Sequence, residues 1–390
     1  PPKIVIVGAG SAVFGQRAIA AILRSPRLKG TELHLVDLDE ESLELMARLA
    51  ERMNGEWGAE ATIRSTTDRR AALPGADFVI ASVQVGPREE LWDKDWRIPL
   101  EHGVRQPYAE NSGPGGFAHT ARNLPLMIAI ARDMEELCPD ALFMNYVNPL
   151  IRLTLAVERY TSIRTVGMCH QLLWGYAMAM VLLGDKYGVE VPPDVKIDTN
   201  HEHLHFREPL MEAGLRHLDI KAAGINHFSW VYDIRDRETG EDLYPLIRER
   251  WLGARGAGPH GAGIRGAHRS ADGRPDFEPL SRDMFEIFGL MPTPSDSHLC
   301  EFLPYVHNPI TKPWEKYGLH TQSFAGNRQR RAERRDLARR IADGTESVDQ
   351  LKYLDSEGVT EVVEGVHFNL NTPIGQLNLP NDGLIPNLPR

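Results

Sequence analysis

The opening of the chain constrains its fold more than any other stretch. Residues 3–7 form a β-branched run that ends on Gly8-Ala9-Gly10-Ser11. A helical pattern follows at once, with Ala18, Ala20, Ala21, Ile22 and Leu23 on its apolar face. A second strand, residues 32–36, ends in Asp37. Gly8 suits a tight turn, Gly10 lets the backbone approach an anion, and a helix N-terminus behind them offers N–H groups and partial positive charge. Val13 stands where the usual pattern carries its third glycine. An acidic residue closing the second strand accepts hydrogen bonds from an adenosine ribose and repels a 2′-phosphate, so NAD is expected in preference to NADP.

The alternation continues. Residues 40–53 are an amphipathic helix, and strands are expected at 62–65, 78–83, 141–144 and 165–168, with a helix at 124–137 stopped by Cys138-Pro139. Strands alternating with helices predict an α/β protein whose N-terminal part, residues 1–170, is a Rossmann-type doubly wound parallel sheet. Val83, closing the fourth strand, is a further cofactor-binding candidate. From about residue 171 the alternation blurs. Helices at 172–187, 284–288 and 328–341 mix with strand-like pieces at 204–206 and 231–234. Residues 171–390 are therefore expected to form an α+β substrate and oligomerisation domain, the whole having the architecture of a lactate or malate dehydrogenase, with the site at the junction. Residues 254–274, rich in Gly, Arg and His, read as a loop, and the arginine-rich helix at 327–340 as a solvated face.

Bulk properties exclude several classes. A length of 390 residues suits two packed domains. A formal net charge of -10 argues against a nucleic-acid partner, and no apolar run reaches the ~20 residues that span a bilayer. Cys138, Cys169 and Cys300 are too widely spaced for a zinc ribbon and cannot all pair. With no signal peptide visible, a reducing, cytoplasmic setting is expected.

An NAD-dependent sugar or 2-hydroxy acid dehydrogenase is the alternative reading, and one of the lactate or malate type would need an Asp–His relay and a carboxylate-holding Arg. Instead, Asn145 and Asn148 fall at the carboxyl end of one strand and Cys169-His170 at the end of the next, where ligands bind in this fold. The run Pro139, Ala141, Asn145, Asn148-Pro149, Thr154, Arg164, Val166-Gly167, Cys169 resembles the signature of glycoside hydrolase family 4. Gly113-Pro-Gly-Gly116, Gly224-Ile-Asn-His-Phe228, Asp242-Leu-Tyr-Pro245, His298 with Glu301-Phe-Leu-Pro304, and the final LPNDGLIPNLP extend the likeness along nearly the whole chain.

That resemblance implies an NAD-dependent glycosidase, an exception to the two-carboxylate scheme. It implies transient oxidation at C3 of the sugar, loss of the C2 proton, departure of the aglycone, addition of water and return of the hydride. It implies a divalent ion, most commonly manganese, on Cys169 and His227, and makes His170 a candidate acid for the leaving oxygen. Asn148 is expected on sugar hydroxyls and Asn145 near the nicotinamide. His119 and Arg122 lie in the expected substrate or cofactor loop, where His119 replaces a more usual Arg and Asn111 a more usual acidic residue. The base is Asp283 by preference, since no Tyr lies between Tyr244 and Tyr305 and Tyr244 reads as a structural helix start. His201, His203 and His205 alternate as if on one strand face. Cys-His points to non-phosphorylated sugars. Arg255, Arg265, Arg269 and Arg274 with His268 suggest an anionic one, a uronide or a sulfoquinovoside, unless that loop is merely exposed. A homodimer or homotetramer is expected.

Overall fold

The computed structural model describes residues 1–11, 15–169, 171–191, 204–252, 277–321 and 324–350. Strands β1 (Lys3–Val7), β2 (Glu32–Val36), β3 (Thr62–Thr66), β4 (Phe78–Ala81), β5 (Leu142–Asn145) and β6 (Thr165–Gly167) form one sheet in the order β3-β2-β1-β4-β5-β6. Every pairing is parallel. The chain therefore runs outward from β1 in one direction and then from β4 in the other. The crevice between β1 and β4 is the topological switch point where such sheets bind ligands. The expected doubly wound sheet is present.

Period-two alternation divides the apolar residues between two faces. Ile4, Ile6, Leu33, Leu35 and Met144 pack on one side with helices Gly15–Arg24 and Glu40–Trp57. Val5, Val7, Val79, Ala81 and Phe143 pack on the other with helices Gly113–Leu137 and Leu150–Tyr160. The helix Glu40–Trp57 begins on Asp39, whose carboxylate accepts the Ser42 N–H at 3.0 Å, and ends on Gly58 in the left-handed region.

Strands β7 (Leu218–Ile225), β8 (Phe228–Asp236) and β9 (Met291–Pro292) make a second, antiparallel sheet. Its core is built on helix Gln171–Leu183, apolar nearly all round and buried accordingly, together with Ile220, Val231, Ile247 and Trp251. The strand expected at 204–206 is instead the first turn of helix Leu204–His217. His205 therefore lies in a helix rather than on a strand; His201 and His203 lie outside the described residues. Tyr244 is structural as expected: it starts helix Tyr244–Leu252, and its hydroxyl donates to Val231 O at 2.6 Å and accepts the Met291 N–H at 2.7 Å.

The helix Phe324–Ala342 returns to the first sheet. Ala338 and Ile341 enter the core on the side of helix Glu40–Trp57. Arg331 and Arg335 are thereby brought to the switch point, while Arg339 and Arg340 stay on the solvated face that the sequence suggested for the whole helix.

Candidate active site

A cleft of about 470 Å³ opens at the switch point, lined among others by Gly8, Gly10, Ser11, Asp37, Val83 and Asn148. Gly8 has φ +89°, and a Cβ there would lie 2.4 Å from the Ser82 carbonyl oxygen. A Cβ on Gly10 would lie 2.7 Å from Ser42 Cβ and 2.8 Å from Asp37 Oδ2. Only glycine leaves this cradle open. The Asp37 carboxylate is oriented by the Gly10 N–H at 2.8 Å and the Asp39 N–H at 3.0 Å. The third glycine is displaced rather than missing: a Cβ on Gly15 would stand 2.1 Å from Ala9 O. Close packing of the helix start on the glycine turn thus rests on Gly15, two positions beyond Val13.

His119 lines the same cleft, buried, with Nδ1 3.3 Å from the Glu110 carbonyl oxygen. Burial lowers its pKa to about 4, so the ring is neutral at pH 7. With Nδ1–H donating to that oxygen, Nε2 is the acceptor. Arg122 does not line the cleft; its Nη2 donates to both oxygens of Asp95, at 2.6 and 2.8 Å, tying two helices together. Asn145 is likewise turned inward. Its amide donates to Thr154 Oγ1 at 3.0 Å and accepts the Val147 N–H at 2.7 Å, with no exposed surface. It shapes the loop that carries Asn148, and the expected contact with nicotinamide has no exposed atom to make it.

Beyond the cleft, β6 leads to Cys169 and the β7–β8 turn presents His227. Its Sγ and Nε2 stand 3.4 Å apart. His227 has φ +61°, an uncommon conformation for a non-glycine residue, held because Gln171 Oε1 accepts its backbone N–H. Burial lowers the His227 pKa to about 4. Asn111 lies 3.2 Å from its Nδ1 through the side-chain amide.

Two residues that carried no assigned role join this pair. Ligand atoms of His227, His298 and Glu301 lie within 4.8 Å of one another. The His298 ring lies 4.2 Å, centroid to centroid, from that of His227 and stacks on Tyr108 at 5.0 Å. His298 and Glu301 are three apart on a helical turn, which places both on one side; that spacing was the sequence signal for them. Glu301 Oε1 accepts the Glu110 N–H at 3.3 Å, while its buried Oε2 has no hydrogen-bond partner among the described residues. Burial, and then the nearby Glu110 carboxylate, raise the Glu301 pKa to about 8. The loop carrying Tyr108, Glu110 and Asn111 is packed against Gly115 and Gly116, where Cβ atoms would lie 2.5 Å from Ala109 Cβ and 2.7 Å from Asn111 C.

Asp283 is outside this cluster. Its Oδ2 accepts from Lys316 Nζ at 2.8 Å and from the Tyr317 hydroxyl at 2.9 Å. His170 and the loop arginines 255, 265, 269 and 274 with His268 lie outside the described residues. No helix among the described residues is long and apolar enough to cross a membrane.

The donor set fits a divalent cation. Two imidazoles and a buried carboxylate converge, with the Cys169 thiol against His227, and a buried carboxylate of this kind calls for a cation or a proton. Glu301 supplies the hard oxygen that a Cys–His pair alone lacks for manganese.

Comparison with known proteins agrees with this geometry. Residues 3–184 match the model of the family 4 glycosyl hydrolases and residues 222–390 that of their C-terminal domain. An alpha-glucosidase of Erwinia rhapontici is 30% identical over 99% of this chain and 80% of its own length. An alpha-galacturonidase of Bacillus subtilis is 28% identical over 99% of this chain and 79% of its own. The chain spans 59% of an alpha-galactosidase from the same organism, at 30% identity. A 6-phospho-alpha-glucosidase from gut microorganisms, solved in complex with NAD and Mn2+, superposes with a TM-score of 0.64, covering 93% of this chain and 73% of that one at 22% identity. The chain belongs to family 4 of the glycosyl hydrolases.

Proposed function

We propose that this glycosidase cleaves an α-glycoside with the help of NAD and a divalent cation, and that the sugar it takes is anionic. The observation that carries the reading is the proximity of a cation-seeking cluster to a dinucleotide cradle. Glu110 connects them, since its backbone N–H reaches Glu301, its carbonyl oxygen meets His119 and its carboxylate lies 3.5 Å from Arg88 of the cleft.

When bound, NAD supplies a reversible hydride acceptor and the cation a Lewis acid for the sugar oxygens. Gly8, Gly10, Ser11 and Asp37 would hold the dinucleotide, with Val83 beside Gly8 where β4 ends; Cys169, His227, His298 and Glu301 would hold the cation. Asn111 Nδ2 meets His227 Nδ1 at 3.2 Å and helps to orient the ring, whose Nε2 faces Cys169 Sγ at 3.4 Å. His119 Nε2 accepts a hydrogen bond from a sugar hydroxyl, and Asn148 binds another. His170 protonates the leaving oxygen. Asp283 serves as the C2 base only if substrate binding releases it from Lys316 and Tyr317.

Two observations support an anionic sugar. The galacturonidase relatives match this chain nearly end to end. Arg88, a guanidinium, lines the cleft with His119 and Asn148 and can receive a carboxylate or sulfonate in bidentate fashion. The test is a panel of nitrophenyl α-glycosides bearing neutral, uronic and sulfonated sugars, assayed with NAD and manganese. The expected result is a kcat/KM at least tenfold higher for a charged sugar than for its neutral counterpart. Equal or better turnover of the neutral sugars would refute the anionic assignment.

A further inference from the structure

The structure assigns Arg331 and Arg335, in the helix Phe324–Ala342, to the dinucleotide site as its second wall, where they bind the pyrophosphate from the side opposite the glycine turn. This rests on the nucleotide reading of the cleft.

Both arginines line that cleft together with Gly8, Gly10 and Ser11. They are four residues apart, so they project from one face of their helix. The helix spans the switch point. Arg335 donates to Ser42 Oγ at 2.7 Å and to Glu41 at 3.2 Å, on the β2 side. Arg331 donates to Glu89, at the start of the helix that follows β4. Each guanidinium is held by a carboxylate yet carries five donors, so anchoring and anion binding are compatible. The glycine turn supplies neutral backbone dipoles, whereas Asp37 and Asp39, which line the cleft, place negative charge around the adenosine end. A pyrophosphate carries two negative charges, and paired guanidiniums one helical turn apart suit it. Ala338 and Ile341, buried in the N-terminal core on the same helix, fix the arginines in place.

The test is isothermal titration of the metal-free protein with NAD, ADP and adenosine, for the native chain and for R331A, R335A and R340A. Arg340 pairs with Asp336 and Glu346 and does not line the cleft. R331A and R335A are expected to weaken NAD and ADP by about tenfold or more, to leave adenosine within about twofold, and to flatten the salt dependence of ADP binding. R340A is expected to bind all three as the native chain does. R331K and R335K, which preserve the charge but not the fork, should fall between, and they carry the test if the alanine variants unfold. NAD and ADP affinities within twofold of native in the position-331 and position-335 variants would overturn the assignment. Failure of the native chain to bind either nucleotide would instead count against the nucleotide reading itself.

Discussion

Cys169 Sγ and His227 Nε2 stand 3.4 Å apart, one at the end of the parallel sheet and the other in the turn of the antiparallel one. Fifty-eight residues separate them in sequence. The contact therefore exists only when the two sheets are docked, and the chemistry proposed for the site depends on that docking.

Cation affinity should be distributed over the whole cluster. C169S, H227A, H298A and E301Q are each expected to lower Mn2+ affinity by about tenfold or more, as loss of a ligand or its support does. Electron paramagnetic resonance titration of free Mn2+ reads this without any turnover. Native affinity in E301Q would remove Glu301 from the ligand set.

Gly15→Ala should destabilise the first domain. The added Cβ meets Ala9 O at 2.1 Å, a backbone atom that cannot swing aside. A loss of about 1–3 kcal/mol is expected from urea unfolding. Stability unchanged within ~0.5 kcal/mol would show that the helix start relaxes without cost.

Asp236 links stability to acid. Its carboxylate accepts the N–H groups of Thr239 at 2.8 Å and Glu238 at 3.0 Å and the Tyr187 hydroxyl at 2.7 Å. These hydrogen bonds, that of Thr239 first, lower its pKa from 3.8 to about 2. A depressed pKa contributes stability that is complete above the unfolded value and is lost as pH falls through the folded one. The window is therefore about pH 4 down to 2, and the stability that these hydrogen bonds contribute is lost across it. D236N should lack that stability at neutral pH and lose less than the native chain between pH 4 and 2. Parallel stability curves for the two proteins across that window would contradict the assignment.

The first sheet was legible because each strand announces itself by apolar runs and each turn by glycine, acidic or proline residues. β1 to β6 all fall within or against the expected segments. Gly15 is not legible because its spacing is two residues longer than the usual glycine pattern. Residues 204–206 open a helix that the sequence does not announce, because a three-residue window does not separate period two from period 3.6, and it is Leu210 and Leu215, further along, that join the core of helix Gln171–Leu183. Charge alone made the arginine helix look solvated; only the burial of Ala338 and Ile341 shows where it docks. His298 and Glu301 were visible as a motif, but their partners lie 71 and 191 residues away, at His227 and Glu110, so no local pattern announces the role.

The most direct measurement is glycoside turnover in D2O by protein stripped of dinucleotide and then given NAD back in catalytic amount. The account predicts that cleavage disappears on stripping and returns with NAD, without net accumulation of NADH, and that the released sugar carries deuterium at C2. Undiminished cleavage by the stripped protein, or a released sugar with no deuterium at C2, would contradict it.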